Sequence, residues 1–166
     1  MAIKDRTPVR RAASKDIARL RERLQQGQLA PHAYMTLLGL RSLDTVGLVD
    51  RIQAGLSYAA LERFQRNISL SNAELGRLLQ IPLRTLSRRK EEGRLQPDES
   101  DRLVRSARLF VRTLELFEGN AEEARTWLGS SNRALGGVVP LELAPTEVGA
   151  REIEDLIDRL EHGVVS

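Results

Sequence analysis

The segment SNAELGRLLQIPLRTLSRRKEEG, residues 71–93, reads as two short helices joined by a tight turn. Ser71 followed three residues later by Glu74 has the shape of a capping box, which opens the first helix. Pro82 interrupts the helical pattern, and Gly93 ends the second helix after Glu92. Leu75, Leu78, Leu79 and Ile81 supply inward apolar positions, and Gly76 leaves room for close approach of the two helices. Leu83 and Leu86 anchor the second helix inward. The outward set is then Arg84, Thr85, Ser87, Arg88, Arg89 and Lys90. This is the pattern of a helix-turn-helix, whose second helix lies in the major groove of DNA. Arginine near the front of that helix reaches guanine edges. The later basic residues, together with Arg77, suit phosphates. A solvated basic face gives the same stripe without any DNA, and Glu91 and Glu92 close behind would repel phosphates. Affinity would then rest on presenting two copies.

On either side the spacing stays helical, and no clean polar/apolar alternation marks a strand. Ser14 caps a helix to about Gly27, with Ile17, Leu20 and Leu24 on one face. Pro31 starts a short helix to Leu38 that stops near Gly39. Ser42 caps a helix to about Ala54, and Ser57 caps one to about Asn67. The longest helix, Pro97 to Phe117, carries Leu103, Ala107, Phe110, Leu114 and Phe117, with Val104 and Val111 widening the stripe. Such a face belongs to a central, mostly buried helix. Asn120 caps a helix to Leu128. A Gly/Pro-rich loop, residues 129–149, precedes a final helix from Ala150 to about Glu161, whose Ile153, Leu156, Ile157 and Leu160 form one face. The expected fold is all-α.

Net charge is +3, but residues 1–100 hold 18 Lys+Arg against 11 Asp+Glu, while residues 101–166 hold 8 against 12. A basic front half suits a polyanion and an acidic back half does not. Arg6, Arg10 and Arg11 form a further loose basic run. Cysteine is absent, so disulfides, thiolate metal sites and cysteine nucleophiles are excluded. No apolar run approaches the roughly 18 residues of a membrane span. The basic N-terminus has no apolar segment behind it, so a secretory signal is not expected and a cytoplasmic location is. His32 and His162 lack ligand-spaced neighbours, and no phosphate loop, nucleophile elbow or dinucleotide fingerprint is present. Neither catalysis nor a cofactor is expected.

The C-terminal third contains Ala124-x-x-Trp127-Leu128, then residues 132–137 (NRALGG), Pro140-Leu141-Glu142-Leu143, Gly149 and a helix ending His162-Gly163. In order and spacing these residues resemble the toxin-binding domain of antitoxins of the Xre/MbcA/ParS type. The segment TLSRRK, residues 85–90, resembles the regulator-type helix-turn-helix that precedes that domain. The resemblance covers about residues 35–163. It implies a partner toxin with a RES-type domain, which depletes NAD or transfers ADP-ribose, and autoregulation on operator DNA. It divides the chain into a basic segment and first helix (1–30), a helical DNA-binding region (31–96) and a small helical toxin-binding domain (97–166).

Trp127, Asn132, Leu135, Gly136, Gly137 and Pro140 are then the loop residues expected against the toxin. Trp127 also reads as a plug beneath its own loop, and Gly136-Gly137 as a turn that needs positive φ. Glu154, Asp158 and Glu161 of the acidic helix face water and could complement a positive NAD pocket. His162 and Val165 belong to a short tail able to enter a cleft. A homodimer, or a higher hetero-oligomer with the toxin, is expected, through the long apolar helix or residues 35–66. Two other readings remain open. One is a free-standing regulator whose C-terminal half dimerises or senses a ligand. The other is an interaction protein that has lost DNA binding.

Overall fold

The computed structural model describes residues 14–41 and 43–163. Its helices are α1 Lys15–Gln25, α2 Thr45–Ala54, α3 Tyr58–Ile68, α4 Asn72–Leu79, α5 Leu83–Glu92, α6 Pro97–Leu116, α7 Ala121–Leu128, α8 Pro140–Leu143 and α9 Glu147–Glu161. Short 3-10 helices occupy Ala33–Leu38 and Arg133–Leu135. The class is all-α, and the nearest approach to a strand among the described residues is a single bridge between Ser57 and Arg94.

Ser14, Ser57, Ser71 and Asn120 each accept a first-turn amide, as the sequence predicts. Two boundaries differ. Asp44, not Ser42, caps α2, its Oδ1 accepting from Gly47 N at 2.7 Å; Ser42 lies outside the described residues. Helix α9 starts three residues before Ala150, because Thr146 Oγ1 accepts from Gly149 N at 3.0 Å. A glycine that reads as a helix breaker sits inside the first turn, where its lack of a side chain is used.

Leu103, Ala107, Phe110 and Leu114 of α6 are buried in one continuous core. They meet Leu61 and Phe64 of α3, Leu37 and Leu38 of the first 3-10 helix, and Ile153, Leu156 and Ile157 of α9 in that core. Helix α6 packs against α2, α3 and α4 and also against α7 and α9. Its apolar stripe is therefore consumed within the chain and is not a surface for a second copy, which corrects one of the two expected dimer faces. On α2, Val46 and Val49 stay exposed.

Helix α1 is fastened by a polar cluster. Arg63 of α3 donates Nε and Nη2 to Asp16 at 2.8 and 2.7 Å, and Asn67 Nδ2 donates to Asp16 Oδ2 at 2.9 Å and to the Leu37 carbonyl at 3.0 Å. Arg21 Nε donates to the Gly119 carbonyl at 2.9 Å, tying α1 to the end of α6. The Arg63 hydrogen bonds outweigh the cost of burial and hold the Asp16 carboxyl below its usual range. A carboxyl lowered on folding stabilises the native state above its unfolded value of about 3.9, and that contribution disappears as pH falls through the lowered native value. Asp16→Asn should therefore lower the urea midpoint at neutral pH, and the gap to the wild-type chain should narrow as pH falls below the usual carboxylate range. A gap independent of pH would show that the carboxylate charge is not what holds α1.

Candidate functional site

Helices α4 and α5 form the helix-turn-helix. Ser71 N donates to Glu74 Oε2 at 2.8 Å and Glu74 N to Ser71 Oγ at 3.2 Å, completing the capping box. The Ser71 amide and hydroxyl, both donating to Glu74 Oε2 at 2.8 Å, hold the Glu74 carboxyl below its usual range. In the turn, Gln80 takes φ 53° and Ile81 N donates to the Gly76 carbonyl at 2.8 Å. A Cβ on Gly76 would lie 2.8 Å from the Ile81 carbonyl oxygen, so the tight crossing requires glycine there. Leu75, Leu78, Leu79, Ile81 and Leu86 are buried. From α6, Arg102 Nε donates to the Leu79 carbonyl at 2.6 Å, satisfying one of the orphan acceptors at the end of α4.

Arg77, Arg84, Ser87, Arg88 and Lys90 are exposed as the sequence predicts, and Thr85 is half-exposed. Arg88 and Lys90 make only loose ion pairs, with Glu92 at 3.9 Å and Glu62 at 3.8 Å. Two residues differ. Leu83 does not point inward; it is 56% exposed and lines a shallow groove with Ala73, Gly76, Arg77 and Pro82. As the first residue of α5 it precedes the turn that faces the core. Arg89 does not belong to the outward set; it is 8% exposed. Its Nε donates to Glu99 at 2.8 and 3.1 Å, Nη2 to Glu99 at 3.0 Å and Nη1 to Glu92 at 3.0 Å. Glu99 also accepts from Gln96 N at 2.8 Å, so one carboxylate caps α6 and clamps α5 to it. The Glu99 hydrogen bonds raise the proton affinity of the guanidinium further. A charge run gives no sign of which member turns under; the partner, Glu99, is ten residues away.

A second junction braces this unit. Leu95 N donates to the Leu56 carbonyl at 2.9 Å, Tyr58 N to the Gly93 carbonyl at 2.9 Å and Arg94 Nη1 to the Ala54 carbonyl at 2.8 Å. The link between α2 and α3 is thus stitched to the link between α5 and α6.

The Gly/Pro-rich segment, expected as loop throughout, holds the 3-10 turn Arg133–Leu135 and the short helix α8. Asn132 N donates to the Val138 carbonyl at 3.1 Å, Gly137 N donates to the Asn132 carbonyl at 2.8 Å, and Asn132 Oδ1 accepts from Ala134 N at 2.9 Å. Gly136 and Gly137 take φ 68° and 84°, the positive values expected. Leu135 and Pro140 are buried, so they pin the loop to the core and present no surface to a partner. Ala134, Gly136, Gly137 and Val138 form the exposed tip. Trp127 is half-buried against Phe117, ring centroids 6.4 Å apart, and both line an open groove with Glu122, Glu123 and Thr126.

The acidic helix differs from expectation. Asp158 and Glu161 are exposed as expected and Glu154 is half-buried, but all three are ion-paired. Arg108 Nε contacts Glu154 at 2.7 Å, and Arg112 bridges Asp158 and, at 3.3 Å, Glu161. Arg105 joins Glu147 at 3.0 Å and donates to the Pro145 carbonyl at 3.1 Å. Three arginines of α6, one helical turn apart, thus take up the acidic edge of α9. Val148, in the first turn of α9, is 82% exposed, and no sequence signal separates it from the buried valines. His162 is exposed with Nδ1 2.7 Å from the Asp158 carbonyl. Val165 and the end of the tail, like Arg6, Arg10 and Arg11, lie outside the described residues.

Residues 47–108 match the family model of the antitoxin Xre-like helix-turn-helix domain, and residues 113–163 that of the antitoxin Xre/MbcA/ParS C-terminal toxin-binding domain. The Antitoxin Xre of Yersinia enterocolitica is 39% identical over 130 residues, covering 78% of this chain and 88% of the relative. The chain belongs to the Xre antitoxin family. The Antitoxin Xre of Photorhabdus laumondii is 33% identical, covering 69% of this chain and 78% of its own length. A more distant relative, the Prs ADP-ribosylating antitoxin of a Sphingobium species, is 24% identical over 80% of this chain and 87% of its own. As an Xre-family member the chain is an antitoxin of a toxin–antitoxin system. Among its described residues no helix is long and apolar enough to cross a membrane.

Proposed function

We propose that this antitoxin holds a RES-type toxin, one that consumes NAD or transfers ADP-ribose, inactive by covering its active site. We also propose that it represses its own operon through α4 and α5. The observation that carries the toxin-directed part is the match of residues 113–163 to the toxin-binding domain, on a segment the fold keeps rigid. A loop already fixed by Asn132, Leu135 and Pro140 loses little entropy on docking. The contact surface in this reading is the tip Ala134–Val138 with Val148 of α9. The Phe117–Trp127 groove extends it. The ion-paired carboxylates of α9 shape the module rather than touch the toxin. In domain terms, residues 1–30 form the basic entry, 31–96 the DNA-binding region and 97–166 the toxin-binding region, with α6 packed against both.

On DNA, Arg84 and Ser87 are the base-edge candidates, and Leu83 beside them suits the methyl group of thymine. Arg77, Arg88 and Lys90 suit phosphates. Arg84→Ala should cost about 1–3 kcal/mol and relax specificity at one position of the operator half-site. Arg88→Ala should weaken all sequences alike and lower the salt slope by about one unit. Gel-shift titrations at several salt concentrations check both. The toxin-directed part is tested by co-expressing the product of the adjacent reading frame and measuring complex formation and NAD loss. Absence of a RES-like neighbour, or a complex that still consumes NAD, would overturn it. The complex is expected to contain two or more antitoxin copies, since operators are usually two-fold.

A further inference from the structure

A basic hollow lies in the N-terminal part, built by residues that neither the helix-turn-helix nor the toxin-binding module uses. It is a half-open space of about 450 Å³ lined by Arg19 and Arg23 of α1, Arg41 and Arg63, with Pro31, His32, Met35 and Leu40 also in the lining. Arg19 and Arg23 are four residues apart on one helix, so they project together. Among the described residues no carboxylate lies within ion-pairing distance of Arg19, Arg23 or Arg41. Arg63 gives Nε and Nη2 to Asp16, which leaves Nη1 without a partner among the described residues. Gly39 makes this arrangement possible. It takes φ 67°, and a Cβ there would lie 2.7 Å from Arg63 Nη1 and 2.8 Å from Cδ. The guanidinium therefore lies across a turn that only glycine leaves open.

Four guanidinium groups around one hollow, with one internal carboxylate among them, leave a concentrated positive charge in a concave space. Guanidinium forks match phosphate oxygens in pairs. Among the lining residues Pro31 is exposed and Leu40 half-buried, and these two offer an apolar surface for a flat ring. The volume falls within the range of small-molecule sites. We propose that this hollow binds a small phosphate-bearing molecule of the nucleoside polyphosphate class. The phosphates meet Arg19, Arg23, Arg41 and Arg63 Nη1, and the base lies against Pro31 and Leu40.

The test uses the full chain without DNA and isothermal titration with ATP, pyrophosphate and adenosine. ATP should bind saturably, pyrophosphate should compete, and adenosine should bind at least tenfold more weakly. Arg23→Glu with Arg41→Glu should weaken ATP at least tenfold while leaving thermal stability unchanged, because both side chains are exposed. Arg88→Glu should leave ATP binding intact and impair operator binding. No saturable binding at millimolar ATP, or equal binding by the Arg23/Arg41 variant, would overturn the proposal. So would loss of operator binding alone in that variant, which would assign the patch to DNA phosphates.

Discussion

Glu99→Gln is expected to destabilise the chain by about 3–5 kcal/mol, the cost of breaking a buried ion pair from one side. That is a large share of the roughly 5–15 kcal/mol available to a folded domain. Glu99 is 5% exposed and Arg89 8%. Glu99 receives three contacts from the Arg89 guanidinium and one from the Gln96 amide. An amide in its place removes the compensating charge and turns a donor toward the guanidinium. The remaining partner, Glu92, is exposed and answers one nitrogen only. Urea unfolding reads the loss as a lowered midpoint. A double replacement, Arg89→Met with Glu99→Leu, should recover most of the stability, because it removes both charges at similar volume. The double variant also separates structure from recognition. With Arg89 turned into the core, operator affinity should persist in it. A single variant that loses under 1 kcal/mol, or a stable double variant that no longer binds DNA, would refute the clamp.

Gly149→Ala is expected to be comparably damaging, by about 3 kcal/mol or more, through overpacking against backbone. The added Cβ would stand 2.0 Å from the Leu143 carbonyl oxygen and 2.9 Å from Thr146 Oγ1. Neither neighbour is the free end of a flexible side chain. Helix α9 would have to lift, breaking the Thr146 cap and loosening the pairs that Arg105, Arg108 and Arg112 make with it. Gly136→Ala is the contrast. Its φ is 68° but nothing lies within 4 Å of the new atom, so strain alone applies, about 1 kcal/mol. Thermal denaturation should separate the two variants widely. A toxin pull-down should fall with Gly149→Ala more than operator binding does. Equal stability of the two variants would show that α8 and α9 can part without penalty.

The helices were legible in the sequence because their stop and start signals are local. Ser57, Ser71, Asn120 and Gly93 act within one turn of themselves. The central position of α6 was legible from the width of its apolar stripe. The turning of Arg89 and the engagement of Glu154, Asp158 and Glu161 were not. Each depends on a partner that the fold brings in from elsewhere: Glu99 from the next helix, Arg108 and Arg112 from 46 or more residues away. Charge on a helical face looks alike whether it meets water or an opposite charge. The basic hollow was hidden for the same reason, since Arg19, Arg41 and Arg63 are separated by two helices. Leu83 and Val148 were missed differently. Periodicity assigns a face, but the first turn of a helix can stand clear of the core whatever its phase.

Helix α6 gives Leu103, Phe110 and Leu114 to a core shared by α3 and α9, and its arginines hold both Leu79 of the DNA-binding unit and the edge of the last helix. A cut within α6 therefore leaves neither side with an intact core. On the function proposed above, a protease that opens this spine would end repression and toxin restraint in a single event. The cell would then lose the proposed silencer of the operon and the guard on its product together. Fresh transcription would then begin at the moment the toxin is released, and resupply would be timed by the same lesion that created the need for it.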